Sequence, residues 1–192
     1  MQLLIFDLDG VLVDSKDIHF EAFNKALVEH GYLPLTYEVH MQTYNGLPTK
    51  TKLLMLGLPE SIAATKQKYT TFDSIEKDLE LGYLLGRLQK ESILCVASNS
   101  IRSTIYDILD RLGIRQHFLF IRSNEDVTNP KPDPEIYNSL IEHFPTLYST
   151  IFEDSPIGLQ AARASKADYV EKIQNRDHLV KVLYEYINPH GG

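Results

Sequence analysis

Four short, largely apolar runs constrain this chain most: Leu3-Leu4-Ile5-Phe6, Ile93-Leu94-Cys95-Val96-Ala97, Phe118-Leu119-Phe120-Ile121 and Thr150-Ile151-Phe152. A run that is apolar throughout, not at alternate positions, suits a strand covered on both faces, and such strands belong to parallel sheets. Helical periodicity occupies 101–112, 133–144, 156–166 and 177–187, between and after these runs. Strand-then-helix repetition predicts an α/β fold with a doubly wound, Rossmann-like parallel sheet. Gly113 suits a helix stop, and Pro134 and Pro156 suit first helical turns.

Residues from about 15 to 90 break this rhythm. They contain no convincing buried strand, and helical patterns cover 16–30, 36–44, 49–57 and 60–85, punctuated by Gly31, Pro34, Gly46, Pro48, Gly57 and Pro59. An all-helical block after the first strand predicts an inserted cap domain. The boundaries read as a core of 1–14 plus 90–192 and a helical cap of 15–89. Pro189-His190-Gly191-Gly192 is expected to fray.

The net charge of −7, with no Lys/Arg block, argues against nucleic acid or a membrane surface as partner. A small anionic substrate remains compatible, because a metal and a few local cations can reverse the field at one site. Cys95 is the single cysteine, so no internal disulfide forms, and its apolar neighbours predict a buried hydrophobe. No basic leader precedes the first strand, and no apolar run approaches the roughly 18 residues of a membrane span. These features read as a cytoplasmic protein, a monomer or weak dimer.

Position makes the polar residues informative. Asp7 and Asp9 follow the first run, Ser98 and Asn99 the second, and Glu153 and Asp154 the last. Ligands of open parallel sheets bind outside the carboxyl ends of the strands, so these groups can converge. Asp7-Leu8-Asp9-Gly10 reads either as an Asx-type turn or, with Asp154, as an oxygen donor set for a hard cation, with Mg²⁺ the natural ion. An EF-hand fails, because Val11 occupies its fifth position. Ser98-Asn99-Ser100 either caps the next helix or receives a phosphate at its N-terminus. Lys131, set among prolines in Asn129-Pro130-Lys131-Pro132-Asp133-Pro134, is either a solvated lysine or an ammonium aimed by a rigid loop. Glu153-Asp154-Ser155-Pro156 starts a helix, and two acids behind a buried strand need a partner.

Taken in order, the segments Asp7-x-Asp9-Gly10-Val11-Leu12-Val13-Asp14-Ser15, Ala97-Ser98-Asn99-Ser100, Lys131-Pro132-Asp133-Pro134 and Glu153-Asp154-Ser155-Pro156-x-Gly158-x-x-Ala161-Ala162 resemble the haloacid dehalogenase superfamily. The resemblance spans essentially the whole chain and is nearest to the beta-phosphoglucomutase and phosphoglycolate phosphatase-like group with a helical cap. It implies that Asp7 is a nucleophile forming an aspartyl-phosphate and Asp9 a general acid and then base. It implies Mg²⁺ held by the Asp7 carboxylate, the Asp9 backbone carbonyl and Asp154, with Glu153 nearby. It places Ser98 and the Asn99 backbone on a phosphoryl oxygen, and Lys131 on the phosphate and on Asp7. Members that cleave carbon–halogen bonds lack the second aspartate, so Asp9 argues for phosphate chemistry.

The same resemblance points to cap residues that choose the substrate. His19 has the spacing of a hinge histidine in the sugar-phosphate mutases. Lys50, in Gly46-Leu47-Pro48-Thr49-Lys50, falls where relatives carry an arginine, and lysine keeps that charge but loses its fork. Lys66 matches a cap lysine that faces the site; His19 also reads as a polar residue on an amphipathic helix, and Lys66 as part of a solvated helix face. After Ala162 the chain departs from the family pattern, so an edge strand is expected to be missing or reduced to Tyr169-Val170. The implied function is a Mg²⁺-dependent phosphatase of a small phosphorylated metabolite. A phosphosugar mutase and a non-catalytic phosphate-binding protein are the competing readings.

Overall fold

The computed structural model describes residues 1–188, so the expectation for the tail at 189–192 lies outside the described residues. In chain order the regular elements are β1 (Gln2–Phe6), α1 (Lys16–Glu29), α2 (Tyr37–Val39), a π-helical turn (His40–Tyr44), α3 (Thr49–Met55), α4 (Ile62–Tyr69) and α5 (Leu79–Leu88). They continue with β2 (Ser92–Ala97), α6 (Arg102–Leu112), β3 (Phe120–Arg122), α7 (Glu135–Ile141), β4 (Tyr148–Glu153), α8 (Pro156–Ala164), β5 (Tyr169–Lys172) and α9 (Arg176–Ile187). Two compact units result: Met1–Asp14 joined with the chain from Ser74 on, and Ser15–Asp73.

The larger unit holds a five-stranded sheet of order β3-β2-β1-β4-β5. Every pairing in it is parallel, and β1 lies between β2 and β4, with Ile5 opposite both Cys95 and Ile151. Alternate residues serve alternate faces. Leu3, Ile5, Cys95, Ala97 and Ile151 pack with Ile136, Tyr137 and Leu140 of α7 and with Ala161 and Ala162 of α8. Phe6 stacks on Phe152 at 4.6 Å between ring centroids. Each such buried side chain contributes on the order of 1.5–3 kcal/mol, so burial on both faces makes the sheet a rigid platform for its loops. Cys95 is buried, and burial pushes its thiol up to about 12, which leaves it unreactive.

The doubly wound sheet agrees with the sequence reading, and three details differ. The edge strand after α8 is present as a four-residue strand, β5, whose pairing runs from Thr150–Tyr169 to Glu153–Lys172. The third strand begins at Phe120 and not Phe118, although the Leu119 amide still donates to the Leu94 carbonyl at 2.8 Å. The helical pattern at 60–85 is two helices, not one. Asp78 caps α5 by accepting from the Leu81 amide at 2.9 Å, and Arg176 grips both Asp78 oxygens. That anchor ties α5 to the start of α9, so residues 74–89, read from sequence as cap, belong to the sheet-bearing unit. The smaller unit, 15–73, is helical and packs Phe23, Ala26 and Leu27 of α1 against Leu53 of α3 and Ile62 of α4.

Candidate active site

Asp7 sits directly after β1, Ser98 after β2, and Asp154 after β4. The sheet changes direction of winding at β1, where a crevice forms at the carboxyl ends of the strands. The topology thus brings to one place residues that are nearly 150 positions apart along the chain.

Lys131 is the centre of the arrangement and is 3% exposed. Its Nζ donates to Asp7 Oδ1 at 2.6 Å, to Glu153 Oε1 at 2.9 Å and to the Ala97 carbonyl at 2.9 Å. An ammonium has three N–H donors, so this one is fully committed and fixed in direction. The loop that presents it is held as firmly. The Asn99 side chain donates to the Lys131 carbonyl at 3.1 Å and accepts from its amide at 3.0 Å, and Glu135 accepts from the amides of Thr128 and Asn129. The prolines around Lys131 gave the signal for a rigid loop, and these four bonds are its physical content.

Asp7, Glu153 and Asp154 each offer a carboxylate oxygen, all within 4.8 Å of one another. Such a set of hard oxygen donors is what Mg²⁺, Mn²⁺ and Ca²⁺ take. Burial pushes the Asp7 carboxyl well up; Lys131 pulls it down, and Glu153, Asp9 and Asp154 add to the rise. Burial also opposes charge on Lys131, but Asp7 and Glu153 outweigh it and hold the ammonium protonated. With four carboxylates against one ammonium, a divalent cation is the counter-charge the site suits. The backbone is shaped for it: Gly10 has φ 98°, and a Cβ there would fall within the Asp154 carboxylate. The residues present fit a divalent metal.

The Asp9 carboxylate accepts, through Oδ2, from the Ser100 hydroxyl at 2.9 Å. Ser98 is buried, and its Oγ accepts from the Ser100 amide at 3.0 Å. Sequence reasoning missed Tyr137, a fully buried α7 residue whose hydroxyl donates to Glu153 Oε1 at 3.1 Å. Its helical register marked it as core and gave no sign of the hydroxyl's task. Ser155, read as part of a helix start, also donates to Glu153 through its amide and hydroxyl, at 2.9 and 3.2 Å.

In the smaller unit, Lys66 Nζ lies 3.0 Å from His19 Nδ1. Lys50 is instead a surface residue, 73% exposed and paired with Glu60 at 2.6 Å. Two positions on, Lys52 and not Lys50 is among the buried residues of α3, with its Nζ 3.4 Å from His40 Nε2. The sequence reading missed His40 and Lys52, and their i, i+12 spacing across two elements offers no local pattern. His40 is 1% exposed, and burial, then Lys52, His19 and Lys66, lowers its pKa to about 4. The unfolded chain therefore takes up this proton first. Stability credited to neutral His40 is present above the ordinary histidine range and is lost as pH falls from about 6.5 toward 4. An NMR titration is expected to find the His40 ring neutral at pH 5, while thermal melts show stability falling over that interval.

A parallel sheet carrying carboxylates and a buried lysine at its strand ends, with a helical insertion after the first strand, defines an α/β protein with a carboxylate-rich centre. Residues 4–171 match the model of the haloacid dehalogenase-like hydrolase family, and the chain belongs to that family. It is 28% identical over 198 residues to a phosphorylated carbohydrates phosphatase of Thermotoga maritima, covering 96% of this chain and 91% of that protein. It is 26% identical over 185 residues to a beta-phosphoglucomutase of Bacillus subtilis, covering 86% of this chain and 80% of that one. Its fold matches CbbY of Rhodobacter sphaeroides, solved with phosphate, at a TM-score of 0.76 and 20% identity, over 92% of this chain and 88% of that one.

Proposed function

We propose that this chain is a Mg²⁺-dependent phosphatase of a small, sugar-like phosphorylated metabolite, and that the phosphoryl group passes through Asp7. The observation that carries the reading is the buried Asp7 carboxylate, bound on Oδ1 by Lys131 and set within ion-sharing distance of Asp154. The Thermotoga maritima relative, named for phosphorylated carbohydrates, supports the substrate class.

In this reading an Asp7 oxygen attacks phosphorus and the bond from phosphorus to the alcohol oxygen breaks. Asp9 gives its proton to that leaving oxygen. Asp9, now a carboxylate, takes a proton from water as the water oxygen attacks the phosphorus carried on Asp7. Inorganic phosphate leaves and the Asp7 carboxylate is regenerated. Lys131 fixes the orientation of Asp7 and supplies positive charge beside the transferring group. The Ser98 hydroxyl and the Asn99 amide receive phosphoryl oxygens, so most of the catalysis is positioning and charge neutralisation. The Asp7 carboxylate, the Asp9 backbone carbonyl and Asp154 would hold Mg²⁺, which when bound neutralises charge on the phosphoryl oxygens.

Phosphate release from a panel of sugar phosphates and phosphoglycolate tests this directly. Turnover is expected with Mg²⁺ and is expected to be abolished by EDTA; turnover that EDTA leaves intact contradicts the metal assignment. A mutase is the second reading, favoured by the His19–Lys66 pair and the Bacillus subtilis relative. Incubation of beta-glucose 1-phosphate with a bisphosphate primer separates the two: a phosphatase yields free phosphate, a mutase the 6-phosphate isomer.

No helix among the described residues is long and apolar enough to cross a membrane. We retain the expectation of a cytoplasmic monomer or weak dimer that binds neither nucleic acid nor membrane.

A further inference from the structure

We propose that Tyr137 is a positioning residue of this site: with Ser155 it reserves Glu153 as the counter-ion of Lys131, leaving the divalent cation to Asp7 and Asp154. The inference rests on the reading that the acidic cluster takes a divalent cation.

The argument is a count of lone pairs. A carboxylate oxygen accepts about two hydrogen bonds, so a carboxylate offers about four places. Glu153 Oε1 accepts from Lys131 Nζ at 2.9 Å and from the Tyr137 hydroxyl at 3.1 Å. Glu153 Oε2 accepts from the Ser155 amide at 2.9 Å and from its hydroxyl at 3.2 Å. All four places are filled by protein donors, and Glu153 is 1% exposed. To ligate a cation, Glu153 must give up at least one of these bonds inside a dry interior, where an unmade bond costs about 1–3 kcal/mol. The Asp7 carboxylate takes Lys131 on Oδ1, and the Asp154 carboxylate lies against Gly10.

Tyr137 acts on both members of the pair. Its ring centroid is 4.7 Å from Lys131 Nζ, within cation–π range, while its hydroxyl holds the carboxylate that the same ammonium binds. Burial, then Glu153, keeps the phenol protonated and therefore a donor. Gly158 leaves room for Glu153 in this place, since a Cβ there would collide with its carboxylate. The motif acid at 153 thus has a different task from its neighbour at 154, although the two are adjacent in sequence.

Mn²⁺ bound to the full chain, followed by electron paramagnetic resonance in ¹⁷O-enriched water, counts the waters on the ion. Glu153→Gln is expected to leave that count as in the wild type, whereas Asp154→Asn adds at least one water. An added water in Glu153→Gln makes Glu153 a ligand and overturns the proposal. The second measurement is proton exchange at the Lys131 ¹⁵Nζ resonance in Tyr137→Phe, which needs no metal and no turnover. Exchange about tenfold faster is expected, as one lost hydrogen bond implies. A variant with a lowered melting temperature but unchanged Lys131 exchange shows a packing role only and overturns the assignment of Tyr137. If wild-type protein binds no Mn²⁺, the cation reading fails by itself, and the exchange measurement still decides whether Tyr137 secures the Glu153–Lys131 pair.

Discussion

Lys131→Met is expected to cost both activity and stability, with losses of about 3–5 kcal/mol in folding free energy, the usual result of removing one partner from a buried ion pair. Methionine fills much of the same volume, so the deficit comes from charge and not from a cavity. Removing the ammonium leaves Asp7 and Glu153 buried as neighbours, with the Ala97 carbonyl also deprived of its donor. One of the two acids must then take up a proton on folding. A carboxyl whose pKa is raised in the folded state favours the fold at low pH, and that advantage disappears as pH rises through the folded value. The deficit of Lys131→Met relative to wild type is therefore expected to be smallest near pH 5 and to grow toward pH 8. Denaturant unfolding at the two values checks it; a deficit independent of pH contradicts the charge argument. Phosphate release is expected to fall by about 10³-fold or more, since the lost group acts where charge moves in the transition state.

Asp7→Asn is expected to have the larger effect on turnover and the smaller one on folding. The amide is close to isosteric, and its oxygen can still accept from Lys131. As a nucleophile it is ineffective, so phosphate release should fall by at least about 10⁴-fold, the scale seen when a covalent catalyst is removed. Stability is expected to hold or rise, because wild-type Asp7 is a buried acid whose burial, with three neighbouring carboxylates, opposes its charge. Turnover retained within about tenfold would leave Asp7 outside the covalent step. Melting curves on the same preparations separate loss of chemistry from loss of fold.

The sheet was legible because its strands are buried on both faces and so need apolar residues at every position, as in Ile93 to Ala97. The site was legible for the complementary reason: Asp7, Ser98 and Asp154 interrupt such runs at the points where the chain leaves the core. Contacts that depend on three dimensions were not. Tyr137 is indistinguishable from a core aromatic until the α7 register sets its hydroxyl against Glu153. Lys50 and Lys52 lie two apart on one helix, and only the packing of α3 shows that the second is the buried one. The stretch 60–85 kept a helical pattern through its break, because the connection from α4 to α5 carries the buried apolar Phe72, and the new start at α5 is fixed by Asp78 and by Arg176, nearly a hundred positions on. The edge strand β5 was foreseen only in part, since Tyr169-Val170-Glu171-Lys172 is half-exposed and lacks the continuous apolar run of the inner strands.

The central claim is that the Asp7 carboxylate itself carries the phosphoryl group between substrate and water. Rapid acid quench of the protein mixed with Mg²⁺ and a substrate it turns over, followed by mass spectrometry of its peptides, tests that claim most directly. The account predicts a phosphate's added mass on the peptide containing Asp7, absent without substrate and absent in Asp7→Asn. Steady turnover with phosphate on no peptide, or on a peptide lacking Asp7, contradicts it.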